Sequence, residues 1–257
     1  MNPYLSVVIP AYNEAAILPV TLDCLRGFLR QQSFTAEVIV VDDGSADKTS
    51  AVVTEWQTDF ECLRVLRNPL NSGKGASFRR GILASRGEVV FVTDADLPGH
   101  PKDILRLLEA LRKGAAIAIA SRHPAPMSSA PSRSRFLASL VYRILVRAIL
   151  GLPLSDTQCG FKAFLRQPLL PVVEGLRLDG FSFDVEFLYG AWKRGLPIQE
   201  VDFDLIERRP IRHAILLQSP FMLIDLLRIR LTSERTRKAT PQIEEQGERS
   251  TVPRDIL

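Results

Sequence analysis

The chain has 257 residues, 46% of them hydrophobic and 24% charged, which suits a globular protein with a real core and excludes a disordered or fibrous one. Its formal charge of +4 is mild, and nucleic acid is not an expected partner. Arginines nevertheless concentrate from Arg122 to Arg147 and from Arg208 to Arg237, where anions such as phosphorylated substrates or lipid headgroups would be met.

The first half alternates strand and helix patterns. Leu5–Ile9 is a short β-rich run ended by Pro10, and Asn13-Glu14 is expected to open a helix carrying Ile17, Leu18, Leu22, Leu25, Phe28 and Leu29 at helical spacing. A second buried strand, Glu37–Val41, is closed by Asp42-Asp43-Gly44-Ser45. Next come a helix from Asp47 to Trp56, a strand at Leu63–Leu66, a helix at Lys74–Ser85 and a strand at Glu88–Thr93. A helix at Pro101–Leu111 and a strand at Ala115–Ala120 complete the series. Repeated βα units of this length predict an α/β, mainly parallel, Rossmann-like sheet flanked by helices.

Beyond Ser121 the character changes. His123–Ser134 is rich in Pro, Ser and Ala and reads as a mobile loop, and Phe136–Leu150 as an apolar helix with Arg143 and Arg147 on one face. A helix over Gly180–Gly195, a strand over Pro197–Phe203 and a basic amphipathic segment over Ala214–Leu231 follow. Residues 1–231 are expected to form a single domain, with 122–150 as an acceptor loop and helix and 204–231 as an interfacial segment. Residues 232–257 read as a polar, disordered tail. No secretory signal is expected, and no run reaches the roughly 20 apolar residues that span a bilayer. The three cysteines, Cys24, Cys62 and Cys159, form no CxxC pair, which argues against a disulfide framework or zinc site and fits a reducing compartment.

The chemistry gathers at strand C-termini, the edge where open α/β sheets bind ligands. Asp94-Ala95-Asp96 closes the Glu88–Thr93 strand. Two acids so close repel unless a cation stands by, and hard oxygens on this spacing suit Mg²⁺ or Mn²⁺ shared with a substrate's phosphates. Alone the pair would sooner be read as a solvated turn or helix cap. Three further loops share its edge: Pro10-Ala11-Tyr12-Asn13-Glu14, Asp42-Asp43-Gly44-Ser45 and Asn71-Ser72-Gly73-Lys74-Gly75. The Gly-Lys-Gly turn at a helix start is expected to bring backbone N–H groups and the Lys74 ammonium to phosphate. No GxGxxG follows a strand, and Gly73-Lys74 lacks the other residues of a P-loop.

The pieces SVVIPAYNEA, VVDDGS, GKGASFRRGI and VTDADL, in this order, resemble the inverting nucleotide-sugar glycosyltransferases of family 2, which have the GT-A fold. Asp156-Thr-Gln-Cys-Gly-Phe-Lys162 and Phe183-Asp-Val-Glu186 are similar to the branch that makes polyprenyl-phosphate sugars, the dolichyl-phosphate glucose and mannose synthases. The resemblance runs from about Leu5 to Leu231. It implies that Pro10, Ala11, Tyr12 and Glu14 contact the base, with Val41 and Asp43 at base and ribose. It further implies that Asp94, Ala95 and Asp96 meet metal and diphosphate, with Lys74 on the nucleotide sugar. Arg122 would reach the diphosphate or sugar, Arg135 and Ser139 the acceptor phosphate, and Arg208 and Arg212 the donor. Two departures stand out: Pro98 occupies a position where mannose-type members carry Gln, and Arg212 one where Lys is common.

The implied reaction moves a hexose from a UDP-glucose- or GDP-mannose-type donor to a polyprenyl or dolichyl phosphate. The metal would be Mg²⁺ or Mn²⁺, and the protein would be cytoplasmic and peripheral on a membrane. Such an acceptor is already largely dianionic at neutral pH and needs cations, not a base. Asp184 and Glu186 therefore stay open between two readings: catalytic base or sugar contact, and helix N-terminal acids complementing the dipole. Arg143 and Arg147 stay open between a solvated face, direct substrate contact and headgroup contact. Rival functions are a family 2 transferase using an alcohol acceptor with Asp184 or Glu186 as base, and a non-catalytic GT-A binding protein. A nucleotidyltransferase is disfavoured for want of its Gly-rich first loop, and a homo-oligomer stays open.

Overall fold

The computed structural model describes residues 2–122, 133–203 and 219–239. Seven strands make one sheet: β1 (Leu5–Ala11), β2 (Ala36–Asp42), β3 (Leu63–Arg67), β4 (Val89–Val92), β5 (Ile117–Arg122), β6 (Lys162–Leu165) and β7 (Ile198–Phe203), in the order β3-β2-β1-β4-β6-β5-β7. All pairings are parallel except those of β6, which runs antiparallel between β4 and β5. The helices are α1 (Leu18–Leu29), α2 (Thr49–Trp56), α3 (Lys74–Ala84), α4 (Asp103–Arg112), α5 (Arg133–Leu150), α6 (Arg166–Glu174), α7 (Phe183–Lys193) and α8 (Ser219–Ala239).

The strands are apolar on both faces because helices cover both. On one face Leu5, Val7, Ile9, Phe91 and Ala163 pack against Leu22 and Leu25 of α1 and Leu107 and Leu111 of α4. On the other, Val8, Val41, Val92 and Phe164 meet Phe78 of α3, Phe183 and Phe187 of α7, Val146 of α5 and Leu226 of α8. In register, Ala11 stands beside Asp42, Val8 beside Val92, and Val92 beside Lys162. The loops after β1, β2 and β4 therefore emerge together, with the start of β6 beside them.

Several expectations shift. The first helix begins at Leu18, not at Asn13-Glu14, because Asn13 adopts a left-handed φ of 55° and spends its side chain on the neighbouring loop. A Gly180 start gives way to Phe183, and β6 and α6 were not foreseen. At the C-terminal end α8 continues past Thr232 to Ala239, through Glu, Arg, Lys and Ala residues of good helix propensity. Most of the expected loop over 123–134 and the segment 204–218 lie outside the described residues, as does 240–257.

Candidate active site

The first two loops are stapled together. Asn13 N–H donates to Ser45 Oγ at 2.9 Å, and Asn13 Oδ1 accepts from Ala46 N–H at 2.9 Å. Glu14 N–H donates to Thr49 Oγ1 at 2.8 Å, and Asp43 N–H to the Ala11 carbonyl at 2.8 Å. Pro10 and Ala11 are buried, Tyr12 is exposed and Glu14 half-buried, so the ring of Tyr12 is the part of this loop that faces solvent. Val41 turns its side chain into the core, where it packs near Gly81 of α3, and only its backbone faces the loops.

Asp43 is buried and holds the third loop. Its Oδ1 accepts from Asn68 Nδ2 at 2.6 Å and Ser72 N–H at 3.0 Å, and its Oδ2 from Gly73 N–H at 2.8 Å. Gly75 N–H donates to the Asp179 carbonyl at 2.8 Å. A Cβ at Gly73, whose φ is +97°, would stand 2.3 Å from Asp179 O, and one at Gly75 would stand 2.4 Å from Leu178 O. These glycines thus let the start of α3 press against the chain before α7. This corrects the expected phosphate cradle: the amides of Gly73 and Gly75 are already bonded within the protein, and the side chain of Lys74 is what the turn presents.

That side chain reaches the acid pair, with Lys74 Nζ 2.6 Å from Asp94 Oδ1. Burial alone would push the ammonium's pKa down. The charges of Asp94 and Asp184, the bond to Asp94 and the charge of Asp96 outweigh it, so Lys74 is held above the ordinary lysine range. The turn after β4 is fixed by Leu97 at a left-handed φ of 47°, by Leu97 N–H donating to Asp94 O at 2.9 Å, and by Thr21 Oγ1 donating to Ala95 O at 2.6 Å. Ala95 is buried, while Asp94 and Asp96 are half-buried. Beneath Asp94, a Cβ at Gly160 would fall 2.3 Å from Oδ2, so glycine there keeps the carboxylate's space open. Hard carboxylate oxygens on a rigid turn fit a divalent cation of the Mg²⁺ or Mn²⁺ type. Among the described residues no group of three or more His, Cys, Asp or Glu is set to hold a metal.

Asp184 and Glu186 have other duties. Asp184 is buried and contacts the ammonium of Lys162, which is itself 1% exposed. Burial drives its carboxyl up; the charges of Lys162 and Lys74 oppose that, and the net direction is upward. Glu186 accepts from the N–H of Arg177 and of Leu178, the latter at 2.9 Å, tying down the same chain that packs on Gly75. Its carboxyl is also raised by burial, against these backbone bonds. Both carboxylates are therefore engaged by groups of this chain in the arrangement observed. Lys162 closes the Asp156–Lys162 motif but carries no role in the sequence reading; its signal is a lone lysine inside the apolar run Gly-Phe-Lys-Ala-Phe-Leu.

Arg122 ends β5 at the same edge of the sheet, and Arg135 and Ser139 lie one turn apart near the start of α5; their side chains are outside the described set. Arg208 and Arg212 fall within 204–218, outside the described residues. On α5, Val141, Arg143, Ile144 and Arg147 are exposed, and on α8, Leu223, Ile224, Leu227 and Arg228 are exposed. The two helices touch, with Arg230 Nη1 donating to the Ile149 carbonyl. No helix among the described residues is long and apolar enough to cross a membrane.

The family described as Glycosyl transferase family 2 matches residues 6–170. A dolichyl-phosphate beta-glucosyltransferase of Dictyostelium discoideum is 35% identical over 243 residues, covering 89% of this chain and 74% of that protein. The human protein of the same name is 38% identical over 212 residues, covering 77% of this chain and 65% of its own length. In structure, the glucosyl-3-phosphoglycerate synthase of Mycobacterium tuberculosis, crystallised with Mn²⁺, UDP and phosphoglyceric acid, superposes with a TM-score of 0.69 at 24% identity, over 89% of this chain and 78% of that one. Acid pair, lysine-bearing turn and sheet order thus stand in a GT-A fold, and the chain belongs to glycosyl transferase family 2.

Proposed function

We propose that this glycosyltransferase moves glucose, with inversion, from a nucleotide-activated donor to a polyprenyl phosphate of the dolichyl phosphate kind. The names of the relatives at 35% and 38% identity support sugar and acceptor. The observation that carries the acceptor class is the engagement of Asp184 by Lys162 and of Glu186 by backbone N–H groups. An alcohol acceptor must lose a proton to a base. A phosphate monoester dianion brings its own nucleophilic oxygen and needs only positioning.

In this reading Tyr12 packs on the base, and Pro10, Ala11, Glu14, Val41 and Asp43 shape the nucleoside pocket. Asp94 and Asp96 would hold Mg²⁺ or Mn²⁺, which when bound would supply positive charge against the departing diphosphate. Lys74 leaves Asp94 for that diphosphate and assists from the protein side. Arg122 supports the donor, Arg135 and Ser139 the acceptor phosphate, and Arg208 and Arg212 the donor from the C-terminal segment. The acceptor's apolar tail requires a bilayer. The exposed apolar residues of α5 and α8, interleaved with Arg143, Arg147 and Arg228, suit peripheral docking on an anionic leaflet, at the cytoplasmic side.

Substituting Glu186→Gln tests the acceptor class. The phosphate reading expects turnover to persist with a modest loss of thermal stability. Abolished turnover in a folded Glu186→Gln protein would instead favour an alcohol acceptor.

A further inference from the structure

Behind Lys74 lies a second ion pair that the chemistry above does not use. Lys162 opens β6 opposite Val92, one pleat below the turn that carries Asp94, and points to the face covered by α3 and α7. Its Nζ contacts Asp184 Oδ1 in the first turn of α7 and sits 5.9 Å from the Phe183 ring. The Phe183 ring belongs to an aromatic cluster with Phe78, Phe164 and Phe187, whose ring centroids lie 4.8 to 6.4 Å apart. An ion pair in such surroundings is not needed for stability, because apolar residues of similar volume generally serve as well or better.

What apolar residues could not supply is charge. Asp184 and Lys74 are brought together because Gly73 and Gly75 allow α3 to close on the Asp179–Phe183 chain. The signs then alternate from the core outward: Lys162, Asp184, Lys74, Asp94. Each of the inner three has an opposite charge on its deeper or outer side. Asp184 acts on Lys74 as a counter-charge independent of the acid pair. A divalent cation claiming Asp94 and Asp96 would otherwise leave the Lys74 ammonium uncompensated and repelled.

We propose that Lys162 and Asp184 are positioning residues for Lys74: Lys162 compensates Asp184 in the apolar layer, and Asp184 keeps the Lys74 ammonium within reach of the diphosphate once a metal claims Asp94. This rests on the reading of Lys74 as a diphosphate contact. Both residues are buried beneath Lys74, Lys162 at 1% and Asp184 at 4% exposure.

The test is a mutant cycle in the full chain, read by calorimetry with UDP or GDP in the presence of Mn²⁺ and by melting temperature. The apolar swap Lys162→Met with Asp184→Leu is expected to melt close to the native protein while binding the nucleotide about tenfold more weakly, the scale of one charge-assisted hydrogen bond. In a Lys74→Met background the same swap is expected to cost nothing further, since its effect passes through Lys74. Native-like affinity in the swap, or losses that add, would overturn the proposal. If the swap does not fold, Asp184→Asn, which keeps the side chain's shape and an oxygen for Lys162, enters the same cycle with the same criteria. The readout is nucleotide binding, so the cycle decides the matter even if polyprenyl phosphate is not the acceptor. Native protein that binds neither UDP nor GDP with Mn²⁺ would overturn this proposal and the glycosyl-transfer reading together.

Discussion

Lys74 Nζ stands 2.6 Å from Asp94 Oδ1, so the ammonium from the start of α3 competes for an oxygen that a metal would also claim. Removing that competitor should act in opposite directions on two ligands. In Lys74→Met, Mn²⁺ alone is expected to bind more tightly than in the native protein, because Asp94 no longer carries a cation. UDP with Mn²⁺ is expected to bind about tenfold more weakly, for want of one charge-assisted bond. Electron paramagnetic resonance of free Mn²⁺ and calorimetry of UDP read the two effects; both moving the same way would contradict the arrangement.

Gly160→Ala probes the floor beneath the acid pair. Its Cβ would fall 2.3 Å from Asp94 Oδ2, so the carboxylate must turn away. Weakened Mn²⁺ affinity and lost turnover are expected with a small change in melting temperature, because the flexible carboxylate yields before the backbone. Gly75→Ala is the contrasting case, since its Cβ meets backbone at Leu178 O and the Cβ of Phe183. There the expected outcome is destabilisation of about 1–3 kcal/mol. Unchanged Mn²⁺ affinity in Gly160→Ala would contradict the first expectation.

Much of this was legible in the sequence, for identifiable reasons. The Glu37–Val41 and Glu88–Thr93 runs are apolar on both faces, as strands covered on both sides must be, and Asp94 and Asp96 follow directly. What failed to show depends on distant partners. In β6, Lys162 interrupts the apolar pattern, and only its contact with Asp184 makes a buried lysine tolerable. In α6, Pro168 and Pro171 mask the helix, with Pro171 inside it. Gly73 and Gly75 read locally as a phosphate turn, but their close neighbours are Leu178, Asp179 and Phe183, far along the chain. Asn13 resembles a helix cap in sequence, but its side chain accepts from Ala46 N–H in another loop instead.

Acid should destabilise the fold through Glu37. This buried carboxylate is pushed up by burial, but the hydroxyl of Ser6, the N–H of Arg86 and the guanidinium of Arg64 outweigh that and hold its pKa below the ordinary glutamate range. With the folded pKa depressed, the stabilisation is complete above the unfolded value of about 4.3 and is lost as pH falls through the folded one. Glu37→Gln should therefore melt lower than the native protein at neutral pH, with the gap narrowing below about pH 4. Melting curves across pH that keep a constant gap would contradict this.

The exposed face of α5 and α8 gives the membrane prediction. Ile144→Asp combined with Leu227→Asp should reduce sedimentation with phosphatidylglycerol vesicles and leave UDP binding intact, since both side chains lie on the exposed helix surfaces. Arg143→Glu should weaken the same binding chiefly at low salt, where screening is least. Unaltered sedimentation in the paired aspartate variant would place docking elsewhere.

The central claim is that a phosphate, carrying its own nucleophilic oxygen, accepts the sugar and that neither Asp184 nor Glu186 acts as its base. Its most direct test supplies labelled UDP-glucose and Mn²⁺ with a polyprenyl phosphate or the corresponding polyprenol in the same vesicles. Label is expected in the phosphate-linked lipid and absent from the polyprenol; transfer to the polyprenol, or to neither, would contradict the account.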